Sequence, residues 1–106
     1  MSQNQLTLAE LFALVKHKIV SKEEGSYSYD LAKKGAERLT RKVGEEALEV
    51  VIATFMHEKN PSEKTRQELV GEICDLFFHS LVLTAAQGIE FEEILNELTR
   101  RNKLKK

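Results

Sequence analysis

The segment from Leu69 to Ala86 limits the fold most, because it is almost entirely apolar or small and yet contains two carboxylates, Glu72 and Asp75. Its apolar side chains would surround a helix almost completely, which predicts a helix that is buried on most sides. A buried carboxylate without a partner is costly. The chain must therefore fold so that something positive faces this pair.

Composition favours helices, since half of the 106 residues are Ala, Glu, Lys, Leu or Arg and there is one Pro. The formal net charge of -1 gives no general field for attracting nucleic acid or an anionic membrane, so neither is an expected partner. The single cysteine, Cys74, cannot form an internal disulfide, and no leader sequence or long apolar run is recognised. A soluble cytoplasmic protein is expected.

Five helices are predicted from apolar spacing and from local start and stop signals. Thr7 and Glu10 form a capping box, Asn60-Pro61 is a start signal, and Gly88 is placed to end a helix. The predicted helices run from about Leu8 to Lys22, Tyr29 to Lys34, Ala36 to His57, Pro61 to Gln87 and Glu90 to Arg101, followed by a frayed tail. Residues 1–106 are thus predicted to form a single all-α domain, a bundle of about four to five helices.

A chain of this length buries only about two thirds of its unfolded surface, so association is expected to complete the core. We predict a homodimer or a higher homo-oligomer, with helices packing between subunits.

Each of the two long helices is predicted to present one polar stripe. At about 100° per residue, the stripe on the third helix consists of Glu45, Glu46 and Glu49. On the fourth helix, steps of four, three and four residues align Glu68, Glu72, Asp75 and His79. Like charges at these spacings destabilise a helix, and a divalent cation would relieve the repulsion. Hard oxygen ligands without a His/Cys set favour Mg²⁺, or Mn²⁺, over Zn²⁺, and suggest phosphate chemistry.

The acidic residues also carry a family resemblance. Glu45-Glu46-x-x-Glu49, followed after 22 residues by Glu72-x-x-Asp75, resembles the EExxE…ExxD signature of the all-α nucleoside-triphosphate pyrophosphohydrolases, the MazG-like superfamily. Within it, the chain is most similar to the phosphoribosyl-ATP pyrophosphohydrolases of histidine biosynthesis. The matching blocks are Ser26-Tyr27-Ser28, Lys34-Gly35, Lys42 to Ala53 and Asp75 to Leu83. The connection from His57 to Arg66 is several residues longer than is usual in that family.

The resemblance implies a MazG-like fold and Mg²⁺-dependent hydrolysis of phosphoribosyl-ATP to phosphoribosyl-AMP and pyrophosphate. It implies four metal ligands, which are Glu46, Glu49, Glu72 and Asp75. Glu45 is the candidate for orienting or deprotonating the attacking water. The candidate substrate-binding residues are Lys34, Lys42, His79, Ser26 and Tyr27.

Several alternatives stay open. His79 is at least as well explained as a core histidine whose ring nitrogens are hydrogen-bonded. Ser26 and Tyr27 could be only a turn and the aromatic residue that packs beside it. The substrate could instead be a free or modified nucleotide, as for a house-cleaning pyrophosphohydrolase of the same superfamily. A further alternative is a non-catalytic helical module whose acidic stripes bind a basic partner.

Overall fold

The computed structural model describes residues 4–105, with side chains described for residues 4–103. This part of the chain contains five α-helices and no β-strand. They are α1 (Leu8–Val20), α2 (Tyr27–Lys33), α3 (Ala36–Lys59), α4 (Glu63–Ala86) and α5 (Phe91–Lys105). The predicted all-α fold is confirmed.

The helix starts follow local capping chemistry. The capping box of Thr7 and Glu10 is present at the start of α1. The Ser26 hydroxyl accepts the backbone N–H of Tyr29 at 3.1 Å, so α2 begins two residues earlier than predicted.

The predicted start of α4 at Pro61 is wrong. Its N-cap is Ser62, which forms a reciprocal capping box with Thr65, and Asn60 instead ends α3. Only residues 60–62 separate the two long helices. The extra length that the sequence suggests between His57 and Arg66 is therefore taken up mainly by helix.

Two helices end in a Schellman motif. After α4, Gly88 has φ 74°, its N–H bonds to the Ala85 carbonyl, and the Ile89 N–H bonds to the Thr84 carbonyl, as predicted. After α1 the corresponding left-handed position is Lys22, with φ 55°, although glycine is the usual residue there. The tail that was expected to fray continues α5 as far as Lys105, and Lys106 lies outside the described residues.

The core lies between α1, α2, α3 and α4, and among the described residues it is small. Its buried apolar side chains are Phe12, Val15, Leu31, Leu39, Leu81 and Val82. Helices α3 and α4 form a helical hairpin and make the most extensive contact in the fold. At the start of α5, Phe91 stacks on Phe12 of α1, and Glu90, just before the helix, forms an ion pair with Lys16.

The expectation that α4 is buried on most sides is wrong for a single chain. Cys74 and Asp75 are exposed, and 49% of the Phe77 surface is accessible. On α3, Leu48 and Phe55 are 58% and 67% exposed, although their spacing predicts core positions. Within the described residues, the hairpin covers one face of each long helix, and Leu48, Phe55 and Phe77 on the other faces stay about half exposed or more.

Candidate active site and metal centre

The α3–α4 hairpin brings together three carboxylates. One carboxylate oxygen each of Glu46, Glu72 and Asp75 lies within 4.8 Å of the other two. Glu46 is buried, Glu72 is half-buried and Asp75 is exposed, so the cluster opens to solvent on the α4 side. One acid of the α3 stripe and two acids of the α4 stripe therefore meet.

The electrostatics of this cluster are unfavourable without a cation. Partial loss of hydration, together with the negative charges of Glu49, Asp75 and Glu46, raises the pKa of Glu72. Lys42 lies with its Nζ atom 3.1 Å from Glu46 Oε2, and this hydrogen bond raises the pKa of the lysine. It is the only ion pair that a cluster carboxylate makes within the described part of the chain. One lysine cannot neutralise three acids.

The donor set suits a hard divalent cation. Three carboxylate oxygens and open solvent resemble the ligands of Mg²⁺, which keeps several waters and takes few protein ligands. The residues present therefore fit a metal of this class.

The two other predicted acids lie beside this cluster. Glu49 is outside the group of three, but its charge is the second contribution to the raised pKa of Glu72, after desolvation. Glu45 lies at the wall of a neighbouring cavity and acts electrostatically on Lys42. A role for Glu49 as a ligand, and for Glu45 in water activation, stay predictions.

A hydrogen-bonded chain links α2 to the acidic stripe of α4. The Nδ1 atom of His79 lies 2.7 Å from the backbone oxygen of Asp75, and its Nε2 atom lies 2.8 Å from the Tyr27 hydroxyl. A carbonyl can only accept, so Nδ1 carries the proton in the neutral ring and Nε2 accepts from Tyr27. Both ring nitrogens are engaged, and a contact with substrate would require one of these bonds to break.

Two further predicted contact residues, Ser26 and Tyr27, lie at the start of α2. Ser26 is buried and caps α2, while Tyr27 is half-exposed and stacks on Phe78 with ring centroids 6.0 Å apart. These contacts agree with the alternative in which Ser26 belongs to a turn and Tyr27 is the aromatic residue that packs beside it. A contact of either residue with substrate stays a prediction.

A cavity of 320 Å³ adjoins the acidic cluster. It is lined by Tyr27, Leu31, Lys34, Arg38, Arg41, Lys42 and Glu45. Tyr27, Lys34 and Lys42 are among the predicted substrate-binding residues, and the structure brings these three together here. The sequence-based prediction does not include Arg38 or Arg41, although each lies four residues, about one helical turn, before a predicted site residue, Lys42 or Glu45.

The chain is similar to known proteins over nearly its whole length. The family model described as phosphoribosyl-ATP pyrophosphohydrolase matches residues 8–102. The phosphoribosyl-ATP pyrophosphatase of Metallosphaera sedula is 43% identical over 96 residues, which cover 91% of this chain and 96% of that protein. The protein of the same name from Methanocella arvoryzae is 43% identical over 98 residues, with 91% and 96% covered.

A longer relative matches as well. The histidine biosynthesis bifunctional protein HisIE of Oceanobacillus iheyensis is 38% identical over 104 residues, which cover 94% of this chain and 45% of that protein. The family match and these identities both extend over nearly the whole chain. The chain therefore belongs to the phosphoribosyl-ATP pyrophosphohydrolase family.

Proposed function

We propose that this protein hydrolyses phosphoribosyl-ATP to phosphoribosyl-AMP and pyrophosphate in histidine biosynthesis, as a cytoplasmic enzyme. The observation that carries the proposal is the meeting of Glu46, Glu72 and Asp75 within 4.8 Å in a chain of this family. A site for a divalent cation beside a basic cavity suits a nucleotide that carries a triphosphate. Relatives of 43% identity are named for this activity.

Glu46, Glu72 and Asp75, with Glu49 beside them, would hold Mg²⁺ or Mn²⁺. When bound, this ion supplies charge neutralisation of the phosphates and a more acidic water. Glu45 lies at the cavity wall, where a carboxylate can orient a water or accept its proton. Lys42, paired with Glu46, places an ammonium group between the acids and the cavity, where it can contact a phosphate oxygen.

The direct test is release of pyrophosphate from phosphoribosyl-ATP with Mg²⁺, compared with the same assay in EDTA. Asp75→Asn and Glu72→Gln are expected to lose activity by at least about a hundredfold, since each removes a ligand charge. Glu58→Gln is the matched control, because Glu58 is an exposed acid on α3 outside the cluster. Full activity of Asp75→Asn would contradict the metal-site assignment.

Two alternatives have their own outcomes. A panel of nucleoside triphosphates turned over faster than phosphoribosyl-ATP would indicate a house-cleaning enzyme of the superfamily. A melting temperature unchanged by Mg²⁺ would favour a non-catalytic module, because a ligand that binds only the native state must raise the melting temperature.

We also propose that a second copy of the chain covers the apolar faces of α3 and α4. The accessible surface is 8019 Å², whereas a monomer of this mass is expected to expose about 6,000 Å². The radius of gyration is 15.8 Å against about 13 Å for a compact domain of this length. The excess of about 2,000 Å² lies within the area that one subunit of a permanent dimer buries.

A membrane is the other apolar environment to consider. Helix α4 is long and apolar enough to cross one, although a core helix of a soluble protein passes the same test. Lipid would surround the carboxylates of Glu72 and Asp75, which is costly. A protein partner can cover the opposite face of α4 and leave these acids in water.

Light scattering tests the second copy. Phe55→Glu is expected to shift the chain from a dimer toward a monomer, since it introduces a charge at an apolar residue that is 67% exposed in one chain. Leu14→Glu is the control, because Leu14 is a similarly exposed apolar residue on α1. A wild-type chain that stays monomeric at micromolar concentration would contradict the proposal.

A further inference from the structure

The basic cavity concentrates positive charge in a chain whose formal net charge is -1. Lys34, Arg38, Arg41 and Lys42 line it. Within the described residues, Lys34 and Arg38 form no ion pair, and Arg41 has only a 3.7 Å contact with the largely exposed Glu37. An exposed pair of this length contributes little, so both guanidinium groups are available to an anion.

The cavity and the acidic cluster are neighbours along α3. Arg38, Lys42, Glu45 and Glu49 fall on a single stripe of α3 because they are spaced by three or four residues. At 1.5 Å per residue, Arg38 lies about 12 Å along the helix axis from Glu46. The ion pair of Lys42 with Glu46 joins the cavity to the cluster. A ligand that contacts both must therefore carry negative charge at two separated places.

The proposed substrate has this property. Phosphoribosyl-ATP carries a triphosphate on one ribose and a phosphate monoester on the other, at opposite ends of the base. The bond that breaks lies in the triphosphate, which must be at the acidic cluster with its cation. The monoester is left for a second site, and the planar fork of arginine matches the oxygens of such a group. Tyr27 and Leu31 give the cavity an apolar wall against which the sugar can lie.

We propose that the cavity binds the 5′-phosphate of the phosphoribosyl group, with Arg38 and Arg41 as the residues that select phosphoribosyl-ATP over ordinary nucleoside triphosphates. This assignment rests on the proposed function, because the phosphate monoester belongs to phosphoribosyl-ATP. The alternative ligand for these arginines is the triphosphate, which carries the same kind of phosphate oxygens. If Arg38 and Arg41 hold its terminal phosphates, all nucleoside triphosphates depend on them equally.

The kinetic test uses Arg38→Gln/Arg41→Gln with two substrates. For phosphoribosyl-ATP, kcat/KM is expected to fall by about a hundredfold, mainly through KM, because two charged hydrogen bonds are lost. For ATP, which lacks the phosphoribosyl monoester, the change in kcat/KM is expected to stay within about threefold. Equal losses for both substrates would overturn the proposal and assign the arginines to the triphosphate. Arg66→Gln, which removes an exposed arginine of α4, is the control for net charge.

A binding test separates this inference from the proposed function. Ribose 5-phosphate is titrated into the protein in EDTA, and the arginine Nε–Hε signals are followed by NMR. Saturable shifts of Arg38 and Arg41, with affinity about tenfold weaker in the Arg38→Lys variant, would support the site, since lysine keeps the charge and loses the fork. No shift would overturn it, even if phosphoribosyl-ATP is hydrolysed. Shifts in a protein that fails to hydrolyse phosphoribosyl-ATP would keep the phosphate site and refute the proposed function.

Discussion

The hydrogen bond between the Tyr27 hydroxyl and His79 Nε2 offers a specific test of how α2 is held against α4. It is 2.8 Å long and joins residues 52 positions apart in the sequence. Tyr27→Phe removes the hydroxyl while keeping the ring and its stack on Phe78. The substitution therefore removes one hydrogen bond and little packing.

The expected cost follows from the burial of the two partners. His79 is only 6% exposed, so Nε2 loses its donor in a buried ring, whereas Tyr27 is 51% exposed, so water can partly replace the hydroxyl. A hydrogen bond contributes about 0.5–1.5 kcal/mol net, and an unsatisfied buried acceptor costs about 1–3 kcal/mol. We expect a loss of about 1–1.5 kcal/mol, or a fall in Tm of about 4–10 °C for a domain of this size.

The assay is urea and thermal unfolding in EDTA at one fixed protein concentration, because association would otherwise change the apparent stability. Tyr29→Phe is the matched control on the same helix, since no hydrogen bond of its hydroxyl is found in the described residues, and its ring contact is with Lys33. We expect that variant to change stability by less than about 0.5 kcal/mol. Equal effects of the two substitutions would refute the reasoning.

Three further predictions concern charge and backbone. The pKa of Glu72 is raised in the folded chain, so protonation of this carboxyl favours folding. Without metal, its contribution to the free energy of unfolding is fully present below the ordinary pKa of 4.5 and is lost as pH rises through the raised pKa. Thermal melts in EDTA are expected to show a smaller loss with rising pH for Glu72→Gln than for the wild type. Hydrogen bonds from Arg100 and Arg101 lower the pKa of Glu97 to about 2. The contribution of Glu97 to the free energy of unfolding is therefore lost as pH falls from 4.5 toward 2. Arg100→Gln should raise this pKa, as measured by an NMR titration of the carboxyl group. Lys22→Gly should stabilise the chain by about 0.5–1 kcal/mol in urea unfolding, because φ is 55° at this position.

The sequence predicts helices well here because their signals are local. Apolar spacing and caps such as Thr7 with Glu10 depend on a few neighbouring residues. The start of α4 is misassigned because Asn60, Pro61 and Ser62 offer two overlapping start signals. Competition with the end of α3 decides between them, since α3 extends to Lys59 and Asn60 becomes its C-cap.

The candidate site is predictable where it depends on helical register. Glu46 and Asp75 converge because two stripes lie on helices joined by a short connection. Burial is not predictable in the same way: Phe55 has core spacing but no covering element within the described chain. Arg38 and Arg41 are not predicted as site residues, because exposed arginines on a helix are usually solvated. They line the cavity only because α2 packs beside α3.

The placement of apolar and acidic residues on α4 would let the proposed association and the proposed catalysis coexist. At about 100° per residue from Glu68, Glu72 and Asp75 fall within about 40° of it on either side. Exposed Val70 and Phe77 fall at about 200° and 180°, on the opposite face. A second copy that packs on this face buries apolar surface without entering the acidic cluster. Association can thus stabilise the helix that carries Glu72 and Asp75 while their carboxylates stay open to a cation and a nucleotide.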